Sequence, residues 1–172
     1  MAVRLIVLAV LALAGTGGCG VYFNTFFNAK KAFNAAEKAR KSQHGRNTRA
    51  GTGQYNRAIE KALKVIEQHP HSKYYDDALY LLGVSYYYTG QYGQSERRLR
   101  ELVIDYPNSK FVRKAQLYLA QAKLHLGDVE EAMKHFETIF SGDYDKSYKA
   151  EAALSVGTYY YDQKDFKKAK PY

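Results

Sequence analysis

The sequence predicts an all-α solenoid in which pairs of helices stack along the chain. Three observations lead to this fold class: residues recur at a step of 37, apolar residues within each unit fall at helical spacing, and glycine or proline separates the segments. The clearest series at this step comprises Tyr55, Tyr92, Val129 and Phe166. Because a two-helix unit cannot bury its apolar face alone, a repeat of this kind predicts an array of stacked units.

Each unit is predicted to contain two helices, and the second unit shows the pattern most clearly. The segment 76–89 carries apolar residues at spacings of three and four, as one face of a helix does. Gly90 ends this segment, 91–105 forms a second amphipathic helix, and Pro107 turns the chain. The same plan divides the chain into units at about 24–70, 71–107, 108–144 and 145–172, the last of them incomplete.

The first unit is less regular than the others. Its opening helix is predicted at 24–41, a polar loop at 42–53 and its second helix at 54–69. The inward-facing residues predicted for the opening helix are Phe27, Ala32, Ala35 and Ala36.

Small residues form a second series at the same step. Gly83, Ala120 and Gly157 lie in the middle of predicted helices, where glycine costs about 1 kcal/mol. We interpret them as positions at which the partner helix comes too close for a larger side chain. Small residues also recur on the second helix of the units, at Ala58, Ser95, Ala132 and Ala169.

This pattern resembles the tetratricopeptide repeat: a small residue in the first helix, a glycine in the turn, then an aromatic residue three positions before an alanine. The resemblance implies a right-handed solenoid that binds other proteins. The usual repeat has 34 residues, and the extra residues here follow the proline, in 71–73 and 108–110. The stretches 69–73 and 106–110 also resemble the BamD-like lipoproteins of outer-membrane assembly. Similar repeats occur in the periplasmic scaffold associated with the Tol-Pal system.

The N-terminal segment predicts export and lipidation. The apolar run at 5–14 would rise only about 15 Å as a helix, too short to span a bilayer and typical of a secretory signal. Small residues and then Cys19, the only cysteine, follow it, and the stretch 16–19 resembles a bacterial lipobox. We therefore predict a lipoprotein signal peptide at 1–18, a lipidated tether at 19–23 and the repeat array at 24–172. The alternative is ordinary cleavage that leaves Cys19 as a free thiol.

The chain is basic, with a net charge of +9, and many of its cations follow the predicted anchor. Predicted export argues against nucleic acid as the partner and favours an anionic membrane surface or an acidic partner. A basic membrane-proximal patch is predicted at Lys30, Lys31, Lys38, Arg40, Lys41, Arg46 and Arg49. Each cation near an anionic leaflet would add about 1 kcal/mol to attachment. The alternative is a solvated helix face.

The resemblance also implies a binding groove lined by the first helix of each unit. It assigns to this groove Tyr80, Val84, Tyr87, Tyr88, Leu117, Gln121, Leu124 and His125. Relatives that clamp a carboxylate carry Lys and Asn at positions that hold Tyr80, Val84 and Tyr88 here, so no carboxylate clamp is predicted. An extended peptide with apolar or aromatic anchors suits such a groove. The alternative for Tyr80 and Tyr88 is packing against the neighbouring unit.

Catalytic signatures were not found in the sequence. Its five histidines lack ligand partners at metal-binding spacing, and it has neither a serine-centred elbow nor a phosphate-binding glycine loop. These observations predict a non-catalytic protein without a cofactor, apart from a covalent lipid on Cys19.

Together, these patterns predict a protein-binding scaffold anchored to the periplasmic face of the outer membrane. Its partners would be envelope proteins or extended peptides, and its most favoured role is in the assembly of outer-membrane β-barrel proteins. The alternative is a cell-envelope scaffold for peptidoglycan or division proteins of the Tol-Pal-associated type. An enzyme of wall metabolism is disfavoured. Since no polar capping helix is recognised, the sequence is also expected to be a C-terminally truncated fragment.

Overall fold

The computed structural model describes residues 17–42 and 51–172. Over these ranges the chain forms eight α-helices and no strand, which confirms the all-α prediction. The helices are α1 (Gly17–Ser42), α2 (Thr52–Gln68), α3 (Tyr75–Tyr88), α4 (Tyr92–Asp105), α5 (Val112–Leu126), α6 (Val129–Ser141), α7 (Lys146–Asp162) and α8 (Phe166–Ala169).

The helices pack in sequence order, and each pair forms one unit of the array. Every helix contacts the one that follows it, and α1, α3, α5 and α7 also contact one another in succession. Successive first helices therefore line one side of the stack. This arrangement confirms the predicted solenoid of helix pairs, and the two helices of the second unit lie close to their predicted positions.

Equivalent positions of the repeat supply the core between units. Ala78, Ala115 and Ala152 are separated by steps of 37, and all three are fully buried. An aromatic residue precedes each of them by four positions. Two of these aromatic rings stack on the preceding first helix: Tyr74 lies 4.6 Å from Phe26, centroid to centroid, and Phe111 lies 4.4 Å from Tyr80.

The small mid-helix residues permit close helix packing, as predicted. A Cβ atom added at Gly83 would lie 2.6 Å from Cγ and Cδ2 of Leu99 on α4. Ala120, at the same repeat position, is fully buried. At Gly157 an added Cβ would lie 3.2 Å from Cβ of Tyr172, so the approach there is looser.

The turn within each unit requires a left-handed residue. Gly90 and Gly127 have φ values of 78° and 82°, a region that glycine enters without steric cost. Lys164 occupies the equivalent position in the last described turn and has a φ of 59°. The turn geometry is therefore retained where the glycine is replaced.

The first helix differs from the prediction in its start and in its buried face. It begins at Gly17 instead of residue 24, so its backbone includes Cys19. Its buried residues are Phe26, Ala29, Phe33 and Ala36, which lie at spacings of three and four. The predicted inward positions of Phe27 and Ala35 are wrong, since Phe27 is 53% exposed and Ala35 is exposed. The physical reason is aromatic packing on this face, where Phe26 stacks on Tyr74 and Phe33 makes edge contacts with Tyr55 and Tyr80.

Parts of the predicted organisation lie outside the described residues. These are the signal segment up to residue 16 and the loop at 43–50, which includes Arg46 and Arg49. Among the helices over 17–42 and 51–172, none is both long and apolar enough to cross a membrane.

Candidate functional site

A groove of about 530 Å³ opens where α3, α5 and α7 meet. The end of α3 supplies Tyr87, and α5 supplies Gln121, Leu124 and His125 from one face, three and four residues apart. Helix α7 supplies a second stripe of the same spacing, comprising Glu151, Leu154, Ser155, Thr158, Tyr159 and Asp162. Two helix faces and the end of a third thus form a concave site of mixed apolar and polar character.

The aromatic end of the groove is tightly packed. The Tyr87 ring makes edge contacts with the rings of Tyr88, Tyr92 and Tyr118 at centroid distances of 5.2 to 5.7 Å. His125 stacks flat on Tyr92, with 4.1 Å between centroids and 6° between planes. Because these contacts restrict the rings before any ligand arrives, Tyr87 can bury apolar surface at low entropic cost.

His125 presents a neutral ring to the groove. Burial lowers its pKa from the ordinary value of 6.5, because desolvation disfavours the charged imidazolium. At neutral pH the ring is therefore largely uncharged. It contributes aromatic surface and a hydrogen-bonding nitrogen without positive charge.

Gln121 is the buried polar residue of the groove. Its Nε2 donates to Ser155 Oγ at 2.9 Å, and Ser155 Oγ donates to the backbone carbonyl of Glu151 at 2.8 Å. Gln121 Oε1 has no hydrogen-bond partner, although the residue is only 7% exposed. A buried acceptor without a partner costs about 1–3 kcal/mol, and a ligand donor would remove this cost.

A charged network supports Tyr88 beside the groove. The Arg40 guanidinium lies 4.7 Å from the Tyr88 ring centroid and forms an ion pair with Glu37 at 3.0 Å. Glu37 also accepts a hydrogen bond from the Tyr55 hydroxyl, and the Tyr88 and Tyr118 hydroxyls are 3.0 Å apart. Burial opposes ionisation of Glu37, but the hydrogen bonds from Arg40 and Tyr55 outweigh it and lower its pKa.

Three of the residues assigned to the groove lie in the core instead. Tyr80 is 4% exposed, and Val84 and Leu117 are fully buried. Tyr80 stacks on Phe111, so it packs against the neighbouring unit. These side chains shape the groove from behind and offer it no surface. Tyr87, Gln121, Leu124 and His125 do line it, and Tyr88 belongs to the charged network beside it.

The residues that α7 contributes to the groove were not predicted from the sequence. The resemblance makes Asp77 a further inward position of the second unit. Counting two steps of 37 from 77, 80, 84 and 88 leads to Glu151, Leu154, Thr158 and Asp162. All four line the groove. The repeat step carries this signal, because it relates the inward positions of the last unit to those of the second.

The predicted basic patch is divided by the fold. Lys30, Lys31, Lys38 and Lys41 are exposed on α1. Arg40 is only partly exposed, because Glu37 binds its guanidinium, which lies over the Tyr88 ring, so it offers less charge to the surface than these lysines. On the side facing α2, a shallow cavity of about 490 Å³ is bordered by three cations, Lys31, Arg57 and Lys61.

Within the described residues, no three His, Cys, Asp or Glu side chains lie together so that they could hold a metal ion. The residues that line the groove offer hydrogen-bonding groups, carboxylates and aromatic surface.

Comparison with known proteins identifies the family. No curated protein matches the chain. The family model described as "Tetratricopeptide repeat-like domain" matches residues 2–171, nearly the whole sequence. Domains of this type are typically non-catalytic scaffolds that bind other proteins. The helix pairs and the step of 37 agree with this match. The chain therefore belongs to the tetratricopeptide repeat-like family.

Proposed function

We propose that this chain is a lipid-anchored scaffold of the cell envelope that holds an extended peptide or a partner subunit in the α3–α5–α7 groove. The observation that carries the proposal is the groove itself, whose lining includes a pre-packed Tyr87 and a buried Gln121 with an unpartnered Oε1. An extended segment with an apolar or aromatic anchor and a free N–H group would complement both features.

Support for an envelope location comes from the sequence. Cys19 follows an apolar run and small residues, which is the order expected of a lipoprotein signal. The exposed lysines of α1 lie shortly after it and suit contact with anionic headgroups. The chain would then be held at the periplasmic face of the outer membrane by its lipid.

Within the envelope, we favour a role in the assembly of outer-membrane β-barrel proteins. The support is the resemblance of 69–73 and 106–110 to the assembly lipoproteins, together with a groove suited to extended segments that alternate apolar and polar residues. The second candidate is a scaffold for peptidoglycan or division proteins of the Tol-Pal-associated type, which rests on similar repeats.

The groove is tested with Tyr87→Ala and a matched control, Tyr161→Ala. Both tyrosines occupy the same repeat position, but Tyr161 is exposed and does not line the groove. A peptide copying one strand of an outer-membrane β-barrel should bind Tyr87→Ala about tenfold more weakly, or 1.4 kcal/mol. Fluorescence anisotropy measures the affinity, and circular dichroism checks the fold. Equal affinities for the wild type and both variants would exclude this groove.

Co-purification from cells separates the two candidate roles. Barrel-assembly subunits recovered with the wild type, and lost with Tyr87→Ala, would support the first. Wall synthases or Pal-type lipoproteins recovered in the same way would support the second.

The anchor is tested by palmitate labelling of the wild type and of Cys19→Ser. Lipid should be incorporated only into the wild type, and cell fractionation should place only that form in the outer membrane. Equal labelling of both forms, or of neither, would remove the lipid anchor from the proposal.

Vesicle sedimentation tests the lysines of α1. Lys30→Gln with Lys31→Gln should weaken binding to anionic vesicles by about 2 kcal/mol at low salt. The control, Lys146→Gln with Lys167→Gln, changes the net charge equally at the other end of the array. Equal losses in the two double variants would show that net charge alone determines attachment.

A further inference from the structure

We infer that the groove accepts a cationic side chain, lysine or arginine, of the bound peptide, between Gln121 on α5 and the carboxylates of Glu151 and Asp162 on α7. This inference rests on the proposed function and specifies the chemistry of the ligand at that site.

The hydrogen bonds of Ser155 fix the orientation of the Gln121 amide. The Ser155 hydroxyl hydrogen is directed to the backbone carbonyl of Glu151, so the Ser155 oxygen can only accept. The amide nitrogen of Gln121 must therefore face Ser155, and Oε1 is left as a buried acceptor without a partner in a residue that lines the groove. With the residue 7% exposed and Oε1 unpartnered, a ligand donor that reaches Oε1 would remove the cost of leaving it unpaired.

The groove is acidic although the chain as a whole is basic. The chain as a whole carries 26 lysines and arginines against 17 acids. Of the described residues that line the groove, however, two are carboxylates, Glu151 and Asp162, and none is Lys or Arg. The imidazole of His125 has a lowered pKa and adds no positive charge at neutral pH. A basic chain thus presents a locally acidic groove, which favours a charged donor over a neutral one.

The groove also offers apolar surface, which restricts the shape of the ligand. Leu124, Leu154 and Tyr87 provide apolar surface beside the polar positions. Lysine and arginine carry methylene stems that pack on such surface while the charged end reaches polar groups. Tyrosine rings in the wall add attraction for a cation placed over their faces. A long cationic side chain therefore matches all three features, whereas an acidic side chain would be repelled.

Three matched peptides test the inference on the whole chain. The probe is the acetylated and amidated heptapeptide Gly-Leu-Tyr-Lys-Tyr-Leu-Gly, with two copies carrying norleucine or glutamate in place of lysine. Isothermal titration should show the lysine peptide binding about tenfold more tightly than the norleucine peptide, and the glutamate peptide binding most weakly.

Variants locate the effect. Gln121→Leu should reduce the preference for lysine over norleucine from about tenfold to about threefold, the part that the carboxylates supply, while Ser155 keeps its bond to the Glu151 carbonyl. Glu151→Gln with Asp162→Asn changes only exposed side chains and should reduce the preference about threefold. Glu137→Gln on α6, an exposed acid outside the groove, should leave it unchanged.

The outcomes separate this inference from the function on which it rests. Equal binding of all three peptides, still weakened by Tyr87→Ala, would overturn the cation site and keep the peptide-binding groove. A lysine preference that stays undiminished in Gln121→Leu and in the Glu151/Asp162 double variant would also overturn it. If no peptide binds, and Tyr87→Ala leaves partner recovery unchanged, both the groove and the inference fail.

Discussion

The second and third units and the last described unit carry the same repeat but differ in what covers them. Tyr80, Leu117 and Leu154 share one repeat position, and their side chains are 4%, 0% and 69% exposed. Helix α5 covers Tyr80 and α7 covers Leu117, whereas no described helix covers Leu154. Burial at this repeat position therefore depends on whether the first helix of the following unit covers it. The residue type alone does not determine it.

The largest expected difference in stability between the units is at the position shared by Leu117 and Leu154. Leu117→Ala should destabilise the fold by about 2–5 kcal/mol, because it leaves a cavity between α5 and α7. Leu154→Ala, the same change one step along the chain, should cost under about 0.5 kcal/mol. Urea unfolding followed by circular dichroism measures both free energies. Similar losses would mean that Leu154 is covered in solution.

A second comparison concerns the close approach at Gly83. Gly83→Ala places a Cβ against the branch point of Leu99 and should cost about 1–3 kcal/mol through overpacking. The control is Gly93→Ala in α4, where an added Cβ has nothing within 4 Å. This change should stabilise the helix by up to about 1 kcal/mol. Thermal melts should therefore shift in opposite directions, and shifts of the same sign would contradict the packing at Gly83.

The first unit contains a partly buried ion pair between Glu37 and Arg40. The pKa of Glu37 is below its ordinary value of 4.5, despite burial, because Arg40 and Tyr55 donate to the carboxylate. Since the folded pKa is lower than the unfolded one, this stability is present above about pH 4.5 and is lost as the pH falls through the folded pKa. Glu37→Gln should lower stability at neutral pH by about 1–3 kcal/mol.

The control for this titration is the exposed acid Glu137. Urea unfolding between neutral pH and about pH 3 measures the free energy of unfolding. As the pH falls, this free energy should decrease less for Glu37→Gln than for the wild type. Glu137→Gln should retain the decline of the wild type. An unchanged profile in Glu37→Gln would show that the ion pair with Arg40 adds no stability.

The smallest expected effect concerns the turns. Lys164 adopts the left-handed conformation that Gly90 and Gly127 adopt in the preceding units. Lys164→Gly should relieve the steric cost and stabilise the fold by about 0.5 kcal/mol, after the entropy cost of glycine is subtracted. Lys167→Gly, within α8, should lower stability instead. If Lys164→Gly also lowers the thermal midpoint, the turn of the last unit differs in solution.

The sequence by itself determined the fold class and most of the element boundaries. A step of 37 applies to every unit, and helix spacing, Gly90, Gly127 and Pro107 are local signals that do not depend on distant contacts. The small residues at Gly83 and Ala120 even predicted where helices approach closely. Lipidation at Cys19 and the envelope partners remain predictions from the sequence.

Only the tertiary structure decided which side chains face the groove. The same inward repeat position buries Tyr80 and exposes Leu154, since the neighbouring unit supplies the cover. Arg40 is only partly exposed because Glu37 and Tyr88 hold it, and Phe26 is buried in place of Phe27 with its ring stacked on Tyr74. The free acceptor of Gln121 depends on the hydrogen bonds of Ser155. These outcomes arise from contacts between residues far apart in the chain, which helical spacing does not encode.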